Sequence, residues 1–143
     1  MDSNTIKAVQ ESWAKVVPIA PQAATIFYDK LFTYDPSLRP LFKADMTAQK
    51  AHLVQMLDAA VQGLDNLDAL VPVLQNLAKR HVAYGVQDAH YATVGAALLD
   101  TLATGLGDEF TPAVKEAWST VYGVMAAVMQ AAAAEVSVAP VAA

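Results

Sequence analysis

Cysteine is absent from the 143 residues of this chain. Its absence excludes disulfide bonds, thiolate metal sites, iron–sulfur clusters and a cysteine nucleophile. The glycine-rich patterns GxGxxG and GxxxxGKS (or GxxxxGKT) are also missing, and these loops cradle the phosphates of nucleotides and dinucleotides. We therefore expect no nucleotide-binding module, so that electrons for any redox chemistry would have to come from another protein.

Positive charge is scarce as well. Nine Lys and Arg face fourteen Asp and Glu, which gives a formal net charge of −5. This mild acidic balance disfavours a nucleic-acid footprint and an electrostatic membrane anchor. The longest apolar stretch, residues 121–134, is too short to span a bilayer, and no positively charged region followed by an apolar run marks a targeting peptide. We expect a soluble cytoplasmic protein.

The residues that are present favour helices. Hydrophobic residues make up 55% of the chain, which is enough for a core and too many for a disordered segment. Apolar residues recur at steps of three and four, and no alternating pattern of useful length marks a strand. The chain is therefore predicted to be all-α, with one domain over residues 1–135 and a disordered tail over residues 136–143. Six helices are predicted, at about residues 4–17, 22–32, 48–64, 68–83, 90–106 and 112–135.

Local signals predict where some of these helices begin and end. Ser3 or Asn4 is expected to cap the first helix, because short polar side chains accept the open N–H groups there. Gly85 is a suitable left-handed residue after the fourth helix. Thr111 followed by Pro112 is a strong start signal for the sixth helix, combining a capping hydroxyl with proline at the first helical position.

Polar residues interrupt the apolar stripes on which we expect the helices to pack, and such exceptions are the informative positions. Tyr28 lies between Phe27 and Leu31 in the second helix. A buried tyrosine usually packs its ring and places its hydroxyl on an acceptor. Gln49 opens the stripe of the third helix, either as a first-turn residue that points to water or as a donor aimed into a pocket.

His81 continues the stripe of the fourth helix, at helical spacing after Leu70, Leu74 and Leu77. It is either a core histidine with one satisfied hydrogen bond or a metal ligand, since neutral imidazole is the commonest metal ligand. One histidine is too few for a structural zinc site, which needs four ligands. One is enough for haem, because the porphyrin supplies four others.

Several short segments occur along the chain in a distinctive order and spacing. They are FYDKLF at 27–32, RPLF at 39–42, DNL at 65–67, KRHVAYGV at 79–86, AHYATVG at 89–95 and AWSTVYGV at 117–124. With these segments the chain resembles the globins, specifically the bacterial single-domain haemoglobins related to the globin half of flavohaemoglobins, over about residues 4–130. The resemblance implies a globin fold of about six to eight helices around a haem b pocket.

The resemblance also implies roles for individual residues. His81 would bind the haem iron on the proximal side. Tyr28, Gln49 and Leu53 would lie on the distal side, around the ligand of the iron. Phe42 would wedge against the haem face. The other haem contacts implied are Leu77, Tyr91 and Val94.

Two positions bear on the proximal and distal sides of the implied pocket. Flavohaemoglobins have a proximal glutamate where this sequence has Ala133, and Glu135 would lie about 200° further round a helix. The resemblance therefore implies neither a proximal charge relay nor strong peroxidase-like activity. In animal globins the distal residue and the proximal histidine are more closely spaced along the chain, and this spacing would place His52 beside the ligand. Alignment without gaps to the bacterial relatives places Gln49 there instead.

What the family implies for function is reversible binding of dioxygen at ferrous iron, for carriage, storage or scavenging. Nitric oxide and carbon monoxide would be further ligands. We expect tight binding and slow release, because a donor such as Tyr28 stabilises negative charge on the ligand. One alternative is a nitric oxide dioxygenase served by a separate reductase, and another is a helical interaction module without haem. A monomer or weak homodimer is expected, with no nucleic-acid partner.

Overall fold

Helices make up most of the computed structural model, which describes residues 2–42, 45–83 and 89–138. No strand occurs within these ranges, and the predicted all-α class is confirmed. Short 3-10 turns connect several of the helices, at Val17–Ile19, Pro36–Leu41, Gly63–Asp65 and Gly107–Glu109. The α-helices are α1 (Ser3–Val16), α2 (Ala20–Tyr34), α3 (Thr47–Gln62), α4 (Leu67–Ala83), α5 (His90–Leu106) and α6 (Pro112–Val138).

The bounds of the helices are close to those predicted. The helix α2 is longer at both ends than expected, since it begins at Ala20 and ends at Tyr34. The helix α6 continues past its predicted end to Val138. Disorder of the C-terminal tail stays a prediction, because residues 139–143 lie outside the described ranges, as does the predicted cap Gly85.

The prediction for the start of α1 was wrong, because Asp2 is the capping residue instead of Ser3 or Asn4. The Asp2 carboxylate accepts the backbone N–H of Thr5 at 2.8 Å, and this bond lowers the pKa of Asp2. A cap lies just outside the helix and bonds the second or third helical N–H. With the helix beginning at Ser3, only Asp2 meets both conditions.

The predicted start of α6 is confirmed. The Thr111 hydroxyl accepts the backbone N–H of Val114 at 3.3 Å, and Pro112 is the first helical residue. The proline fits there because the first N–H of a helix has no partner within the helix.

The deepest part of the core lies between α1 and α6. Trp13 and Trp118 have ring centroids 6.2 Å apart and are only 3% and 0% exposed. Val9 on α1 and Val121 on α6 are fully buried beside them. Burying each large apolar side chain contributes about 1.5–3 kcal/mol, so this contact fixes α1 to α6.

The remaining packing leaves a space between the helices. The helix α4 packs along α6, α2 packs along α5, and α3 packs against α2. A cavity lies among these helices, with residues from α2 to α6 in its walls. None of the helices in the described ranges is both long and apolar enough to cross a membrane.

Candidate functional site

The main cavity of the protein has a volume of about 230 Å³ and mostly apolar walls. Among the described residues, no carboxylate, lysine or arginine lines it. It is partly open to solvent, and its lining residues Leu41 and Val73 are 37% and 43% exposed. The polar lining residues are Tyr28, Gln49, His52, His81, His90, Tyr91 and Tyr122.

The structure brings every predicted site residue to this one cavity. They come from α2, the turn before α3, and α3, α4 and α5, so no local stretch of sequence contains them all. Their predicted roles toward a cofactor stay predictions. The residues are Tyr28, Phe42, Gln49, Leu53, Leu77, His81, Tyr91 and Val94.

Tyr28 lies on the side of α2 that faces the cavity, and its side chain is only 4% exposed. The rings of Phe27 and Phe42 are steeply inclined to its ring, with centroids 5.1 and 5.5 Å away. Phe32 stacks on it at 5.9 Å. Burial raises the pKa of Tyr28, and this effect exceeds the opposite effect of a hydrogen bond from Gln49. The hydroxyl therefore keeps its proton at neutral pH and can donate it to a hydrogen bond.

Gln49, in the first turn of α3, is held inward by Tyr28. Its amide Nε2 donates to the Tyr28 hydroxyl oxygen at 3.1 Å, which rules out the alternative in which it points only to water. Because the Tyr28 oxygen accepts this bond, the Tyr28 proton is directed elsewhere. His52 lies one turn further along α3, lines the same cavity and is exposed.

His81 lies on α4, lines the same cavity as this pair and is half-buried. Its Nδ1 lies 2.7 Å from the backbone oxygen of Leu77. A carbonyl can only accept, so Nδ1 carries the proton and the neutral ring has an unprotonated Nε2. Orienting hydrogen bonds of this kind are typical of histidines that bind metals.

The protonation of His81 fits the same role. Burial lowers the pKa of His81, and the bond to Leu77 partly opposes that effect. The charges of Arg80 and His52 lower it further. The imidazole is therefore neutral at neutral pH, which is the form that binds metals.

Tyr122 on α6 also lines the cavity, and the sequence did not single it out. Its hydroxyl donates to the backbone oxygen of Tyr91 at 2.5 Å. Its ring lies against Gly95, where an added Cβ would be 2.8 Å from Tyr122 Cε2. The sequence feature that could have indicated Tyr122 is its position one helical turn after Trp118, a residue on the buried face of the sixth helix. His90 begins α5, as the predicted helix over residues 90–106 does, and it also lines the cavity.

Metal binding by protein side chains alone has no support in the described part of the chain. No group of three or more histidine, aspartate or glutamate side chains comes together there. A metal at His81 would need most of its ligands from a cofactor.

Comparisons with known proteins point to one family. The Globin family model matches residues 25–129. An engineered carbene transferase from Rhodothermus marinus, named as a candidate nitric oxide dioxygenase, is 25% identical and has a TM-score of 0.89, over 99% of each chain. A bacterial globin from Campylobacter jejuni is 23% identical with a TM-score of 0.83, over 94% of this chain and 97% of that chain. A hexacoordinated haem protein from a tardigrade shares the fold, with 20% identity and a TM-score of 0.82 over 93% and 95%.

Proposed function

We propose, from the premise that this chain belongs to the globin family, that it binds dioxygen reversibly at a haem b group held by His81. Haem-based binding of diatomic gases is the general property of the family. The observation that carries the finer proposal is the bond from Gln49 Nε2 to the Tyr28 oxygen. It orients a protonated hydroxyl in the cavity that His81 also lines.

The lining of the cavity fits haem. A porphyrin presents apolar faces and supplies four nitrogen ligands, so apolar walls and one neutral imidazole are sufficient. The walls include Phe42, Leu53, Leu77 and Val94, which would contact the porphyrin faces. No carboxylate among the described lining residues competes for the iron, and the opening to solvent would admit the polar edge of the group.

Tyr28 is proposed as the main donor to the ligand. Ferrous haem supplies an iron with an open position at which a diatomic ligand binds. A ligand there with partial negative charge would accept a hydrogen bond from the Tyr28 hydroxyl, while Gln49 holds that hydroxyl in place. One hydrogen bond to a charged acceptor contributes about 1.5–3 kcal/mol, which corresponds to about 10- to 150-fold in affinity. Most of that difference is expected in the release rate.

The experiment that tests this function begins with absorption spectra of the purified protein, first ferric, then reduced, then exposed to dioxygen. A haem spectrum with a long-lived oxygenated form is expected. The Tyr28→Phe variant should then release dioxygen at least about tenfold faster. The matched control is Tyr34→Phe, because Tyr34 lies on the same helix, bonds Asp100 and does not line the cavity of His81. Unchanged release in Tyr28→Phe would contradict the proposal, as would a protein that takes up no haem.

Nitric oxide dioxygenase is the second candidate function. It is favoured by the likeness to the Rhodothermus marinus protein, which extends over nearly the whole of both chains. Dioxygen and nitric oxide would combine to nitrate, leaving ferric iron, and a separate reductase would return one electron. Repeated turnover with a supplied reductase would support this function, whereas a single round would support binding alone. A cytoplasmic location and a monomer or weak homodimer stay predictions.

A further inference from the structure

Three aromatic rings form a closed cluster at one wall of the main cavity. Tyr28 and Phe42 line the cavity, whereas Phe32 does not. The centroid of the Phe32 ring is 5.9 Å from that of Tyr28 and 5.5 Å from that of Phe42. The Tyr28 and Phe42 centroids are also 5.5 Å apart. All three distances are typical of aromatic pairs, so the position of the Tyr28 ring depends on the positions of Phe32 and Phe42.

Arg39 contacts two members of this cluster in two different ways. Its guanidinium carbon lies 5.3 Å from the centroid of the Phe32 ring, which is within the range of a cation–π contact. Nη1 of the same group donates to the backbone oxygen of Phe42 at 3.3 Å. The half-buried Arg39 side chain therefore joins the ring of Phe32 to the main chain of Phe42.

Phe42 lies outside the α-helices, in the connection from α2 to α3. It follows the 3-10 turn Pro36–Leu41, and its backbone is extended. Its N–H donates to the backbone oxygen of Arg39 at 3.1 Å, and its own oxygen accepts from the Arg39 side chain. Both backbone polar groups of Phe42 are thus bonded to Arg39, which fixes this connecting segment against Phe32 of α2.

The chemistry of arginine suits this arrangement. A guanidinium is planar, so it can lie over an aromatic ring while its N–H groups donate to an oxygen. A lysine ammonium is a compact point charge without a plane to stack. Arg39→Lys would therefore keep the charge and lose the simultaneous contacts with Phe32 and Phe42.

We propose that Arg39 is a positioning residue for the ligand of this globin. It holds the Tyr28 ring through Phe32 and Phe42, while Gln49 bonds the Tyr28 hydroxyl. Arg39 does not line the cavity and would not touch the ligand. This inference rests on the proposed function, in which Tyr28 donates to dioxygen.

Such a role predicts a change in selectivity between two diatomic gases. Dioxygen takes on partial negative charge when it binds, and an oriented donor stabilises that charge. Carbon monoxide stays nearly neutral and gains little from the same donor. Loss of the Arg39 contacts should therefore accelerate the release of dioxygen and leave the release of carbon monoxide almost unchanged.

Stopped-flow kinetics of the Arg39→Gln holoprotein test this prediction. Dioxygen release should be about two- to fivefold faster than in the unchanged protein. Arg39→Lys should show part of the same acceleration, and it serves as the test if Arg39→Gln does not fold. The matched control is Lys30→Gln, because Lys30 is also half-buried and lies on α2 two residues before Phe32. It should leave both release rates unchanged.

Infrared spectra of the carbon monoxide complex observe the donor more directly. The C–O stretching frequency depends on the dipole that faces the ligand. Arg39→Gln should add a second band at higher frequency, from molecules in which the Tyr28 hydroxyl is turned away. A loss of stability alone would not produce this band, and Lys30→Gln should lack it.

A double variant shows whether Arg39 acts through Tyr28. In the Tyr28→Phe background, Arg39→Gln should cause no further acceleration of dioxygen release. Independent effects of the two substitutions would overturn the proposal. So would unchanged dioxygen release in Arg39→Gln, or equal acceleration for dioxygen and carbon monoxide.

The outcome is distinguishable from failure of the proposed function. A holoprotein that binds dioxygen and responds to Tyr28→Phe, but does not respond to Arg39→Gln, overturns only the further inference. A holoprotein in which Tyr28→Phe has no effect overturns the proposed donor and the inference with it. Protein that takes up no haem likewise overturns both.

Discussion

The indole nitrogen of Trp118 lies 2.8 Å from the hydroxyl oxygen of Ser12, across 106 positions of the sequence. Both side chains are buried, at 0% and 5% exposure. The hydroxyl donates in turn to the backbone oxygen of Ala8. A buried indole N–H without an acceptor is costly, so this small polar residue is required where α1 meets α6.

Replacing Ser12 with alanine should therefore destabilise the protein. The buried Trp118 N–H would lose its acceptor, at a cost of about 1–3 kcal/mol in the free energy of unfolding. Urea denaturation measures the effect. The control is Ser119→Ala, because the Ser119 hydroxyl is exposed and bonds only a carbonyl of its own helix. A loss for Ser12→Ala no larger than for the control would contradict the prediction.

Replacing Gly95 with alanine should also destabilise the fold. The added methyl group would lie 2.8 Å from Tyr122 Cε2, and the bond from the Tyr122 hydroxyl to Tyr91 keeps that ring from moving aside. Overpacking of this kind costs about 1–3 kcal/mol. Gly123→Ala is the matched control, because nothing lies within 4 Å of its added Cβ. Its free energy of unfolding should rise by about 0.5–1 kcal/mol. Equal thermal shifts for the two variants would disprove the steric explanation.

His81→Ala should abolish haem retention. His81 is the residue proposed to bind the iron, with its ring oriented by Leu77. The ratio of haem absorbance to protein absorbance after gel filtration measures the loss. His52→Ala is the comparison, since His52 lines the same cavity but is exposed. Full haem content with a normal five-coordinate ferrous spectrum in His81→Ala would refute the assignment.

Gln49→Leu should accelerate dioxygen release less than Tyr28→Phe does. The variant removes a neutral hydrogen bond that orients Tyr28, and such a bond contributes about 0.5–1.5 kcal/mol. That corresponds to about two- to tenfold in the release rate, measured by stopped-flow replacement with carbon monoxide. Release as fast as in Tyr28→Phe would instead make Gln49 an equal donor to the ligand.

Alkaline pH should destabilise the folded protein through Tyr122. Burial raises the pKa of Tyr122 above its ordinary value of 10.0. Above pH 10.0 the unfolded chain therefore loses the phenolic proton while the folded chain keeps it. The stabilising effect is complete below that pH and is lost as the pH rises toward the folded pKa. The free energy of unfolding should fall less steeply above pH 10 in Tyr122→Phe than in the unchanged protein. Equal slopes would show that Tyr122 does not contribute.

Much of the candidate site could be predicted because its residues leave local marks. His81 stands out since it occupies an apolar stripe at helical spacing, and Tyr28 stands out for the same reason. The resemblance added Phe42, which no periodicity singles out. Tyr122 was missed, because its place in the cavity depends on α5 being close enough for Gly95 to accept its ring.

The sequence by itself determined the six helices, their approximate bounds and the faces they bury, because helical periodicity and caps depend on residues within a few positions of each other. Only the tertiary structure decided the partners. Gln49 and Tyr28 are 21 positions apart, so packing of α3 against α2 was needed to show that Gln49 turns inward. The hydrogen bond between His81 and the Leu77 carbonyl likewise became evident only from the orientation of the ring in the fold. The first contact depends on side-chain geometry between two packed helices, and the second depends on how the ring is turned within α4. No pattern along the chain encodes either.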